Sequence, residues 1–342
     1  MSGGHREGQP RRHRDSEHNN RGVSVSLWLI VSAFSVLAVV SSAQQLSYTK
    51  GQNISPAYEG WEQASDGTKY FLFGYMNRNW EEEIDVPVGP ENGFNGGGAD
   101  QGQPTHFLPR RNRFVFRVKV PAGFTEKDEL IWTLTTHGKT EKAFATLRAD
   151  YVVDDVVKAS ETGALGAGTS SPEVRGNHSP TVHIQEVKAR TVKAGEPITV
   201  VSEVKDDGIP KRRTPSLATL AAAQQRLAAD PVLAALLKNP TMSPPSRITV
   251  GKNLGLHVSW FVYRGPAAGK ATFDPPQVKA WEDTRAGANS PWAPVWAAPK
   301  IPADGLQPVQ VTFSEPGTYV LRCRADDGAL VADEEVTIVV VR

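Results

Sequence analysis

One cysteine, Cys323, occurs in the 342 residues, so no disulfide can form within the chain. Stability must come from ordinary apolar cores, even in an oxidising compartment. Charge of one sign is also lacking: 38 Lys and Arg stand against 37 Asp and Glu. No global field therefore recruits nucleic acid or acidic substrates. The glycine-bearing stretch 88–112 has no Gly-Lys-Ser/Thr ending, no His/Glu spacing matches a zinc site, and no serine-nucleophile elbow occurs. These absences remove phosphate-cradling loops, zinc hydrolases and serine hydrolases from consideration. No repeat relates the two halves. What is present is a soluble-protein balance, 39% hydrophobic and 22% charged, with 30 glycines and 25 prolines. That composition suits many short strands joined by turns.

The N-terminus carries the clearest topological signal. Residues 1–22 are polar, with Arg6, Arg11, Arg12, Arg14 and Arg21 outnumbering Glu7, Asp15 and Glu17. Residues 23–43, VSVSLWLIVSAFSVLAVVSSA, hold no charge. As a helix this run reaches ~31 Å, about one hydrocarbon core. Ser41 and Ala43 suit signal-peptidase cleavage before Gln44, and the length equally suits an uncleaved anchor. In both cases the arginines stay cytoplasmic and everything after Gln44 is exported. If uncleaved, residues 23–43 hold the chain in the membrane.

The sequence then reads as mostly β, with two Ig-like or β-sandwich domains in tandem. Residues 44–57 form a linker after the 1–43 head and signal or anchor helix. A first domain spans 58–157, with its best strands at 68–80, 113–121 and 130–137, all rich in aromatic and β-branched residues. Within 113–120, Phe114, Phe116, Val118 and Val120 alternate with Arg113, Val115, Arg117 and Lys119, the pattern of a half-buried strand. No helix is expected there. Residues 88–112 make a loop long enough to suggest either a binding role or a mobile connection. Residues 158–179 read as a Gly/Ser-rich linker, and a second domain covers 180–342. Into it is set a helical hairpin at 214–240, with Leu217, Leu220, Ala221, Leu227 and Ala228 on one face.

In GTYVLRCRA, Tyr319, Leu321, Cys323 and Ala325 share one strand face, and Val320, Arg322 and Arg324 the other. Cys323 thus belongs to the apolar face and is read as a small core residue rather than a reactive thiol. Three segments around it carry a family likeness: 180–210 with AGEPITV and DDGIP, 254–276 with WFVYRGP, and 309–341 with TFSEPGTYVLR and a second DDG. Together they resemble the bacterial branch of the polycystic-kidney-disease (PKD) family of Ig-like repeats. The resemblance implies a seven-stranded sandwich used outside the cell for spacing, adhesion or binding, without catalytic machinery. In such a sandwich Trp260 fills the space between the sheets and Tyr319 forms a tyrosine corner. Gly317 permits the corner and Gly328 the following turn. The insert at 214–240 and the long tryptophan-rich stretch at 281–299 depart from the family.

Several groups are candidates for chemistry. Asp206, Asp207, Asp326 and Asp327 precede glycines, and 332–335 adds further acids. Oxygen ligands of this kind can hold calcium, although Asp-Gly is also ordinary turn chemistry. No other cofactor is implied. Glu81, Glu82, Glu83 and Asp85 offer paired carboxylates, which glycosidase chemistry requires facing across a cleft and which otherwise form a solvated face. Trp281, Trp292 and Trp296 form a candidate binding surface for a protein or carbohydrate, or pack against the sandwich end. The expected function is a non-enzymatic binding or structural module, exported or membrane-anchored, with no role in binding nucleic acid. The alternative is an accessory or carbohydrate-active enzyme subunit with its site in the first domain, which converging carboxylates near 88–112 would favour.

Overall fold

Alternating aromatic and β-branched residues give the N-terminal half its strands, and the positions of its glycines decide where those strands bend. The computed structural model describes residues 50–162, 164, 171–187, 190–211, 225, 228–231, 252, 254–266, 269–280 and 299–342. The apolar run at 23–43, almost all of the helical insert at 214–240, and Trp281, Trp292 and Trp296 lie outside the described residues. The protein is mostly β, built from several sheets.

In the N-terminal half the strands are β1 (Ile54–Gln63), β2 (Lys69–Asn77), β3 (Ile84–Asp85), β4 (Asn92–Phe94), β5 (His106–Phe107), β6 (Arg110–Lys119), β7 (Leu130–Thr136) and β8 (Lys139–Ala145). They form one sheet in the order β1-β2-β6, a second in the order β4-β7-β8, and a β3-β5 ribbon. The core is aromatic. Phe73 stacks on Phe116 at 5.4 Å between centroids and meets Trp132 edge-on at 5.9 Å. β1 begins inside the expected 44–57 linker, because Asn53 and Ile54 are already buried.

The simple alternation expected over 113–120 does not survive. Phe73 pairs with Phe116, but Tyr75 pairs with Asn112, so three residues oppose Gly74. Phe114 takes a left-handed conformation in this bulge (φ 48°) and is only partly buried, while Val115 enters the core at 8% exposure. A bulge of this kind re-aims side chains. Gly74 permits it: a Cβ there would lie 2.3 Å from Glu59 Oε1 and 2.5 Å from the Asn112 carbonyl.

The expected linker at 158–179 carries helical turns. Helix α1 (Asp155–Thr162) and the short α2 (Pro172–Arg175) contribute Ala159 and Val174 to a small apolar cluster with Ala329 and Leu330. Ser171 caps α2 by accepting the Val174 N–H at 3.2 Å. The domain without helices expected up to 157 thus ends within α1.

The C-terminal half contains β9 (Thr181–Ile184), β10 (Thr191–Lys193), β11 (Pro197–Lys205), β12 (His257–Arg264), β13 (Ala271–Asp274), β14 (Leu306–Phe313), β15 (Gly317–Asp326) and β16 (Val331–Val341). One sheet runs β13-β14-β11-β9 and the other β10-β16-β15-β12. Taken in sequence order, this is the ABED/CFG arrangement of an immunoglobulin-type sandwich, with β10 added parallel to β16. Trp260 lies between the sheets with Val200, Val309, Leu321 and Cys323. Tyr319 is fully buried, and its hydroxyl donates to the Glu315 carbonyl at 2.9 Å, the tyrosine corner the sequence suggested. Cys323 is fully buried, and burial pushes its thiol up to about 12.

Candidate functional site

The alternation that buries Cys323 turns Arg322 and Arg324 to the other face of β15. That face is not solvent. Arg322 is 5% and Arg324 2% exposed, because the N-terminal half covers them. Strand register supplies their partners: Arg322 stands opposite Glu335 and Arg324 opposite Asp333. Arg324 grips Asp333 with two bonds of 2.7 Å, and Arg322 donates to Glu335 at 2.9 Å through Nε. Burial works to raise the Asp333 carboxyl, but Arg324 and Arg322 reverse this and hold it below the ordinary carboxylate range. Two of the acids in the 332–335 run are therefore partners of buried arginines.

β12 adds its own second face. Its register with β15 puts Trp260 and Val262 in the sandwich core and Phe261 and Tyr263 beside the arginines. The Arg322 guanidinium lies 3.5 Å over the Tyr263 ring and donates to the Val115 carbonyl across the junction. Such a face-on cation gains more when desolvated. Burial raises the Tyr263 hydroxyl to about 12 against the opposing charge of Arg322, so it acts as a donor; it bonds the Gly102 carbonyl at 2.5 Å.

Gly102 belongs to the 88–112 segment, which is ordered by its own side chains. Asn92 donates to the carbonyls of Val86 and Pro104 and accepts the Trp132 indole N–H at 3.0 Å. Gln103 donates to the carbonyls of Asn92 and Ala99. The far side of the segment fastens to the C-terminal half. Arg264 makes two 2.8 Å bonds to Asp100, the Thr105 N–H donates to the Tyr263 carbonyl, and the Gly265 N–H donates to Thr105 Oγ1 at 3.2 Å. The segment is a clamp between the halves. α1 adds a second tie on the N-terminal side, through Lys158–Glu62 at 2.6 Å and Arg113–Glu161 at 2.8 Å.

Beside the clamp, β3 and β5 bring Glu83 and Asp85 to His106. Asp85 lies 2.8 Å from Nδ1 and Glu83 3.4 Å from Nε2. Burial disfavours the imidazolium, but these two carboxylates outweigh it and raise His106 to about 9. The carboxylates do converge near the 88–112 segment, yet on one charged histidine rather than on a reacting bond. Their shared partner takes the geometry away from a glycosidase pair. Glu82 instead meets His137 at 3.2 Å and accepts the Gly51 N–H. The acids of 81–85 are thus engaged, not a freely solvated face.

A cleft of about 360 Å³ opens beside His106, walled by Glu83, His106 and Leu108 from the N-terminal half and by Trp260, Phe273 and Lys279 from the C-terminal half. Lys279 crosses the junction to bond Asn112 Oδ1 at 2.8 Å, and Gln277 accepts the Trp260 backbone N–H.

The four aspartates of the calcium reading are occupied with turns and pairs. Asp206 and Asp207 accept the N–H groups of Gly208 and Ile209. Asp327 accepts those of Ala329 and Leu330 and the side chain of Asn177, and burial lifts its carboxyl to about 6. Asp326 is paired with Lys252 at 3.0 Å and His257 at 3.6 Å. Among the described residues no group of three His, Cys, Asp or Glu is arranged to hold a metal. Also among the described residues, no helix is long and apolar enough to cross a membrane. The junction itself was not singled out from sequence. One signal for it was present: Trp260-Phe261-Val262-Tyr263 is apolar on both faces, as strands buried on both sides are.

No protein-family model matches the chain, and no curated protein does. Among solved structures, a conjugative transposon lipoprotein from Bacteroides eggerthii is 10% identical, with 47% of this chain and 97% of that one covered and a TM-score of 0.24. The D00–D0 domain of intimin is 11% identical, with 84% and 100% covered and a TM-score of 0.21. Domains 4 and 5 of an S-layer protein are 7% identical, with 63% and 66% covered, also at 0.21. Overlaps this loose transfer no function to the chain.

Proposed function

We propose that this chain is an exported or membrane-anchored, non-enzymatic module in which two β-sandwich halves, the second PKD-like, act together as one stiff binding or spacing element outside the cytoplasm. The observation that carries the reading is the junction. Arg322, Tyr263 and Arg264 tie the halves at Val115, Gly102 and Asp100, where a flexible tandem would need only a linker. The charge-free run at 23–43 behind an arginine-bearing head supports export. The doubly held imidazolium of His106 supports a structural over a catalytic role, since a general base must be able to take a proton near working pH. A reporter fused after Arg342 tests the topology. Alkaline phosphatase activity is expected in intact cells, and an inactive phosphatase fusion beside an active fusion to a reporter that works only in the cytoplasm contradicts the reading.

A further inference from the structure

The approach to β12 buries a lysine. The Lys252 side chain is 2% exposed, and among the described residues its Nζ has no acceptor in hydrogen-bond geometry. Asp326 Oδ2 touches it at 3.0 Å, outside bonding angles, and the Asp326 side chain is 3% exposed. The strands fix this meeting. Register pairs His257 of β12 with Asp326 at the end of β15, and the Gly255 N–H donates to the Asp327 carbonyl at 2.6 Å. Asp326 Oδ1 accepts the Gly328 N–H at 2.8 Å, so Oδ2 is left to Lys252 and to His257 Nε2 at 3.6 Å.

Burial disfavours ammonium and carboxylate alike, which draws a dry pair toward amine beside carboxylic acid. For Asp326 burial is the strongest influence and pushes upward, while the charges of Lys252 and His257 hold the carboxyl below its ordinary range. One proton passing from Nζ to Oδ2 removes the larger of those two charges. A buried, uncharged lysine is a nucleophile, and fixed contact replaces a bimolecular encounter.

We propose that Lys252 and Asp326 join in an intramolecular amide, a cross-link between the entry to β12 and the end of β15. The uncharged Nζ attacks Asp326 Cγ and a C–N bond forms. The acid's hydroxyl leaves as water, taking a proton that His257 carries from the nitrogen. Ammonium and carboxylate thus become an amide and one water, and nothing is oxidised or reduced. With a single cysteine the chain has no disulfide to close a loop, whereas this amide closes 252–326 in any redox compartment. Exclusion of water from the site protects the bond once made. The cross-link suits a stiff module and does not depend on that reading.

Mass spectrometry of the full chain, purified folded and then denatured, tests the bond. Peptide mapping fixes the N-terminus, and a mass one water below that of the sequence is expected. Trypsin should release the residues around Lys252 and Asp326 as one branched peptide. Lys252→Arg and Asp326→Ala should each restore the sequence mass and two linear peptides. His257→Gln should slow the loss of water after synthesis by at least about tenfold. The unaltered chain decides the matter without any variant. Its full sequence mass, with Lys252 and Asp326 in separate peptides, overturns the proposal. So does a loss of water placed at Asp327-Gly328 as a succinimide, with trypsin still cutting after Lys252. An undiminished rate in His257→Gln overturns the proton transfer assigned to that residue.

Discussion

The two faces of β15 are equally dry and differently built. One face places Tyr319, Leu321, Cys323 and Ala325, all fully buried, in an apolar core. The other places Arg322 and Arg324 in a junction of ion pairs, a cation over an aromatic ring, and backbone acceptors. The first face is held by removal of apolar surface from water, which is non-directional and tolerates repacking. The second is held by geometry. Its charges stay favourable only while every partner is in place, and a lost partner leaves an uncompensated charge. A sandwich core fixes the fold of one half, whereas the junction fixes the relation between two.

The largest effect should come from the core. Trp260→Ala is expected to destabilise by about 3–5 kcal/mol, read from the urea midpoint, through a cavity between the sheets. At the junction, Arg324→Ala is expected to cost about 3 kcal/mol by removing both short bonds to Asp333, which keeps only the 3.5 Å contact from Arg322. The two regions part company in the rescue. Arg324→Met with Asp333→Leu should recover most of that loss, because a buried ion pair can be exchanged for apolar groups of similar volume. Failure of the rescue would mean that the pair does more than fill the junction.

The junction should also respond to pH between 6.5 and about 9, below the range in which burial displaces the Cys323 thiol on the apolar face of β15. His106 is raised from 6.5 to about 9, so its contribution to stability is complete below 6.5 and is lost as pH rises through about 9. Asp327 acts in the same direction lower down: raised from 3.8 to about 6, its contribution is present below 3.8 and is lost as pH rises through about 6. The urea midpoint should therefore fall across the alkaline window, and His106→Gln should flatten that fall. An unchanged slope in the variant would remove His106 from the account.

Smaller effects bracket the comparison. Asp100→Asn removes an exposed partner of Arg264, and a loss within about 1 kcal/mol is expected, since the Asp100 side chain is 56% exposed. Cys323 should resist thiol reagents in the folded state, its thiol being buried and raised to about 12. Rapid labelling without denaturant would contradict the packing of the apolar face.

The core was readable because its signal is local. Period-two alternation marked Tyr319 to Ala325 as one face, and Trp260 and Tyr319 take the places that the sandwich pattern assigns them. The junction was not readable in the same way, because its partners lie far apart in the chain: Arg322 with Val115, Arg264 with Asp100, Lys279 with Asn112. Arginine on a strand reads as solvent-facing until something covers it. Glu83, Asp85 and the 332–335 acids reported only their charge, and their cationic partners come from another strand of the fold. The bulge at Phe114 escaped for a related reason, since the residue that permits it, Gly74, sits on the neighbouring strand.

The central claim is that the junction makes the two halves one body. Differential scanning calorimetry of the full chain tests it most directly. A single transition is predicted, with calorimetric and van't Hoff enthalpies equal, and Arg324→Ala should lower its midpoint without splitting it. Two separable transitions in the unaltered chain, each with the enthalpy of one half, would contradict the account.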